Sequence, residues 1–95
     1  MELSSSSNSV TIKGNIKSIN DFQDIKISLD EIKANYNDIM VHIVDSLSMT
    51  SSVIGYFNKL VLKDGINLSL KVGNTQLMDL LSDLNISETF NAQKV

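Results

Sequence analysis

At 95 residues the chain has the length of one domain with one core, and its 42% hydrophobic and 20% charged residues match ordinary globular usage. A formal net charge of −3, with the lysines scattered, argues against a binder of nucleic-acid backbone, which needs a basic face. There are no cysteines, so disulfides and thiolate metal sites are excluded.

The first residues, MELSSSSNS, contain neither a positive stretch nor an apolar run and do not read as a signal peptide. No apolar run approaches the ~20 residues that a membrane helix requires. The expectation is a cytoplasmic protein without membrane insertion. Residues 1–8 read as a flexible segment, with Glu2 and Leu3 pairing at most weakly at a sheet edge, followed by a single domain over 9–95.

From Ser9 the pattern becomes ordered. Val10 and Ile12 alternate with Thr11 and Lys13, a half-buried strand that Gly14 and Asn15 interrupt. Ser18 followed by Asp21 matches a capping box with a shorter acid, so a helix is expected to start after Ser18. Phe22, Ile25, Leu29 and Ile32 line one face of it, and the asparagines at 35 and 37 mark its stop. Ile39 to Val44, IMVHIV, is nearly continuous apolar sequence and too short for a typical helix, so it reads as a central strand. Periodicity leaves open whether Ile39, Val41 and Ile43 or Met40, His42 and Val44 face the core.

The run SVIGYFNKLVL places Val53, Ile54, Phe57, Leu60 and Val61 on a second helical stripe, which Asp64-Gly65 ends. Ile66, Leu68, Leu70 and Val72 alternate with polar residues, giving a strand with one wet face. Asn74 or Thr75 then caps a third helix carrying Leu77, Leu80, Leu81 and Leu84, with Asn85 as a left-handed stop. A last turn, with Ser87 as cap and Phe90 folding back, closes the core. The order implies an α/β fold: a small, mostly parallel four-stranded sheet, mixed at its edge, with helices mainly on one face.

Catalytic signals are weak. His42, the one histidine, falls within a strand, and neither a nucleophile elbow nor a phosphate-binding loop motif is present. Asp21, Asp24, Asp30 and Glu31 lie on an amphipathic helix and read as solvated, while Met40, Met49 and Met78 read as core or lining residues. No enzymatic activity, cofactor or metal is expected.

The stretch MTSSVIGYF, residues 49–57, carries more information. Thr50, Ser51 and Ser52 stand where a loop enters the second helix, and one of them suffices to cap it, adding ~0.5–2 kcal/mol. Gly55 is out of place, since glycine costs ~1 kcal/mol relative to alanine inside a helix. Its presence predicts a close backbone approach, to the sheet or to a visitor. A phosphate on a hydroxyl at a helix start adds about −1.5 to −2 charges where free N–H groups tolerate an anion. Such a change leaves the domain folded while altering its surface, repelling an acidic partner or spoiling an apolar contact.

Over roughly Val10 to Phe90 the chain resembles the STAS family, the sulfate-transporter and anti-sigma-factor-antagonist domain. VTIKGNIK supplies Gly14 and Ile16 of that family's Gly-Glu-Leu-Asp element without its acids. TSSVIG, Thr50 to Gly55, aligns with the hallmark D-S-S-G-L-G, with Thr50 in place of aspartate and Val53 in place of the first glycine. INLSLKVGNTQLMDLLSDLNISETF is similar to the closing strand, leucine-rich helix and turn, with Asn85 where glycine is usual.

The resemblance implies a docking protein used in partner switching, in which a serine kinase that is also an anti-sigma factor phosphorylates the first serine of the motif. Carried across, that residue is Ser51, with Ser52 as a second candidate. Thr50, Ser51, Ser52, Val53, Gly55 and Tyr56 are then the expected partner-binding residues, on a monomer or weak dimer. The alternative is a docking subunit of a larger complex that is never phosphorylated. Neither reading involves nucleic acid.

Overall fold

The computed structural model describes residues 1–95. It has five strands and three α-helices: β1 (Glu2–Ser6), β2 (Ser9–Lys13), α1 (Ile19–Lys33), β3 (Asp38–Ile43), α2 (Ser51–Asn58), β4 (Asn67–Val72), α3 (Thr75–Asp83) and β5 (Ala92–Lys94). The sheet runs β1-β2-β3-β4-β5, with β1 antiparallel to β2 and every other pair parallel. No helix is long and apolar enough to cross a membrane.

Two expectations are corrected at the sheet edges. Residues 2–6, assigned to a flexible segment, form β1, because Ser7 takes a positive φ of 52° and closes a tight hairpin onto β2. The four expected strands become five. The chain turns through residues 87–91, as expected for Phe90 folding back, and then adds β5 beside β4. Its sequence AQK carries no alternation from which a strand can be read.

Register decides which side is core. Val10, Val41, Leu70 and Ala92 form one row across the sheet, and Ile12, Ile43 and Val72 another. With Ile39 and Leu68 these strand residues join Ile25, Leu29, Val53, Phe57, Leu60, Leu77 and Leu81 in a single buried cluster. Fully burying each large side chain contributes about 1.5–3 kcal/mol. The helices therefore cover one face, and Ile39, Val41 and Ile43 are the inward residues of the central strand. On the bare face the row is Thr11, His42, Lys71 and Gln93, with Lys71 Nζ donating to Gln93 Oε1 at 2.7 Å. Met40 is 37% exposed there and is not a core residue.

Local chemistry explains the helix ends. Ser18 Oγ accepts from Asp21 N at 3.1 Å, and the Asp21 carboxylate accepts from Ser18 N at 3.2 Å, completing the capping box of α1. Asn74 caps α3, its Oδ1 accepting from Leu77 N at 3.1 Å, and Asn85 stops it at φ 58°. Phe22 is only half-buried and Leu84 is 49% exposed, so both helical stripes are narrower than the apolar pattern suggests. After Asn58 the second helix widens into a π-helical turn, Lys59–Lys63, with Asp64 N donating to Lys59 O at 2.9 Å. That turn keeps Leu60 in the core and leaves Leu62 75% exposed before Gly65, at φ 69°, redirects the chain.

Candidate functional site

The loops after β2, β3 and β4 meet at the C-terminal edge of the parallel strands, where open α/β sheets expose their helix starts. Hydrogen bonds join the first two of these loops. Asp45 Oδ1 accepts from Gly14 N at 2.7 Å, and Asn15 Oδ1 accepts from Leu47 N at 3.0 Å. Ser46 is the one buried polar residue, its hydroxyl accepting from Ile16 N at 3.0 Å and donating to Ser48 O at 2.7 Å. The third loop packs closely on the second, since a Cβ on Gly73 would overlap the Val44 carbonyl oxygen. These contacts fix the segment that leads to α2.

Thr50 is the residue that caps α2, with Oγ1 accepting from Val53 N at 3.3 Å and its carbonyl accepting from Ile54 N at 3.0 Å. Ser51 and Ser52 are therefore free of the capping role, and both are exposed in the first turn. Beside them a groove of about 120 Å³ is lined by Lys17, Ser18, Ile19, Phe22, Thr50 and Ser52. Ile19 is 75% exposed at its mouth. Lys17 supplies the cation of this groove, and its backbone N–H donates to Asp21 at 2.9 Å. That bond, working against burial and aided by the Ser18 N–H, holds the Asp21 carboxyl below its usual range.

Two of the expected partner-binding residues need correction. Val53 is fully buried and Tyr56 is 5% exposed, so both belong to the core and present no side chain to a partner. Gly55 is exposed, and a Cβ there would meet nothing within 4 Å, so no approach of the sheet requires glycine. The surface that is present comprises Ile19, Thr50, Ser51, Ser52 and Gly55, continuing along the helix to Lys59 and Leu62.

Beneath this surface a charged network ties α2 to α1. The Tyr56 hydroxyl donates to Asp30, which also takes Lys26 at 2.8 Å and Lys33 at 3.3 Å. Lys33 reaches on to Asp64 at 3.0 Å, and Lys59 joins the same carboxylate at 3.6 Å. Burial works to raise the Asp30 pKa, but hydrogen bonds from Lys26, Tyr56 and Lys33 outweigh it and hold the carboxyl at about 2. Burial, together with the bond to Asp30, pushes the Tyr56 phenol well above its usual value. The bond to Asp64 raises Lys33 in the same way.

His42 lies on the bare face of the sheet, away from the serines, and no three His, Cys, Asp or Glu side chains are grouped to hold a metal ion. What the site offers is a preformed surface with two accessible hydroxyls at a helix start. Sequence reasoning missed Asp45, Ser46 and Asn15. Short polar side chains in a loop do signal bonds to backbone, but which backbone they reach depends on how the loops fold together. Comparison of the chain with known protein families, with curated proteins and with solved structures gives no match.

Proposed function

We infer that the chain is a regulatory docking domain, resembling the anti-sigma-factor antagonists of the STAS family, that binds a protein partner through the loop and helix beginning at Thr50. Phosphorylation of Ser51 switches that binding. The observation that carries the reading is the division of labour in the triplet: Thr50 alone caps the helix, and Ser51 and Ser52 stay exposed beside open space at Gly55. A phosphate there lies at the N-terminus of α2, where free N–H groups favour an anion, with Lys17 lining the adjoining groove. The domain keeps its fold while the docking surface gains charge.

The test is a Ser51→Asp substitution. It is expected to leave the circular dichroism spectrum and unfolding midpoint unchanged while abolishing recovery of the partner that the parent chain pulls down from its native cell. Equal recovery by both proteins rejects the switch.

A second reading is a docking subunit that is never modified. Thr50 favours it, because a neutral cap stands where the resembling family carries an aspartate next to the modified serine. Intact mass of the protein purified from its native cell separates the two readings, through the presence or absence of a phosphate on Ser51.

A further inference from the structure

The loop that leads to α2 has a second flank. Between it and α3 lies a groove of about 380 Å³, lined by Leu47, Ser48, Gln76, Asp79, Leu80 and Asp83. Leu47 is 46% exposed, and Leu84, one turn beyond Leu80, is 49% exposed. One wall is held in place, because Ser46 is buried and bonded on both sides of the loop and the Leu47 amide is fixed by Asn15. A preformed wall lowers the ordering cost of binding.

The charges around this groove are placed against the interests of the helix that carries them. Asp79, at the middle of α3, and Asp83, its last residue, stand four residues apart and are both exposed, and the last turn contains no basic residue. Like charges at that spacing repel, and the Asp83 carboxylate at the helix C-terminus opposes its dipole. Neither aspartate takes part in an ion pair, since the four salt bridges all use Asp30 or Asp64, and no lysine lines the groove. Local placements that cost stability without internal compensation concentrate at functional surfaces.

We propose that this groove receives a basic amphipathic segment of a protein partner, an apolar side chain seating between Leu47 and Leu80 while lysine or arginine lies over Asp79 and Asp83. The proposal deepens the docking reading by fixing the chemistry of the partner, and rests on that reading only in taking the occupant to be a protein.

The experiment titrates the isotopically labelled full chain with a short helical peptide bearing leucines on one face flanked by lysines, and with its counterpart in which glutamates replace the lysines. The lysine peptide is expected to shift the amide resonances of Leu47, Ser48, Gln76, Asp79, Leu80 and Asp83, with affinity falling as salt rises. The double variant Asp79→Lys with Asp83→Lys is expected to bind it at least about tenfold more weakly while retaining the parent fold. No shift at these residues, or equal binding of the glutamate peptide, overturns the proposal. Shifts that grow with protein concentration alone put a second copy of the chain in the groove and overturn it as well. Ser51→Asp is expected to leave peptide binding intact. Failure of the peptide therefore rejects the groove, and failure of the Ser51 pull-down rejects the switch, each without the other.

Discussion

The Tyr56 hydroxyl, on the buried side of α2, donates to the Asp30 carboxylate on α1, and Tyr56 also packs edge-on against Phe22 with ring centroids 6.3 Å apart. One side chain thus joins the two helices that flank the serine groove. Tyr56→Phe keeps the ring packing and removes the bond. It is expected to cost about 1 kcal/mol in urea unfolding, since Asp30 retains its two lysines. The Asp30 pKa, followed by NMR, should rise from about 2 towards its ordinary 3.8.

Stability should depend on pH at both extremes. Asp30, Asp64 and Asp21 have lowered pKa values, so their contribution is complete above the ordinary 3.8 and is lost as pH falls towards the folded value, about 2 for Asp30. Lys33 and Tyr56 have raised values, so theirs is complete below 10.5 and 10.0 respectively and is lost as pH climbs beyond. Unfolding midpoints should form a plateau between these limits. In Tyr56→Phe the alkaline fall should be shallower. An unchanged alkaline limb in that variant would show that the phenol does not titrate with folding.

Two glycines should respond oppositely to alanine. A Cβ at Gly55 enters open space within a helix, so Gly55→Ala is expected to gain up to ~1 kcal/mol of stability while weakening partner binding. At Gly73 a Cβ would overlap the backbone oxygen of Val44, which has no free end to move, so Gly73→Ala should cost about 3 kcal/mol. Chemical denaturation of both variants checks the contrast, and a Gly55→Ala protein that binds its partner normally removes the reason for glycine there.

Ser46→Ala leaves a buried N–H on Ile16 and a part-buried carbonyl on Ser48 without their bridge. The expected loss is about 1–3 kcal/mol. Hydrogen exchange at the Ile16 amide should accelerate beyond what that global loss accounts for, because the loop joining β3 to α2 is released locally.

The elements with strong periodicity were legible in the sequence: the capping box at Ser18, the alternation in β4 and the stop at Asn85 all have local physical causes. The central strand was legible as a strand but not in its orientation, which only pairing with Val10 and Leu70 determines. β1 was legible only as an edge pairing of Glu2 and Leu3, and β5 was not legible, because serines and AQK carry neither alternation nor β-branching and these strands exist by pairing with stronger neighbours. At the site, the helix start and its hydroxyls were legible. The burial of Val53 and Tyr56 was partly so, since Val53 already fell on the apolar stripe while Tyr56 is buried through its bond to α1.

Strand order follows chain order from one edge of the sheet to the other. A polypeptide emerging from the ribosome can therefore add each strand to an edge already formed, with no need to reopen a completed pair and insert a later one. Each parallel addition has to close over an intervening helical segment and its connections, so the parallel pairs form more slowly than the β1–β2 hairpin.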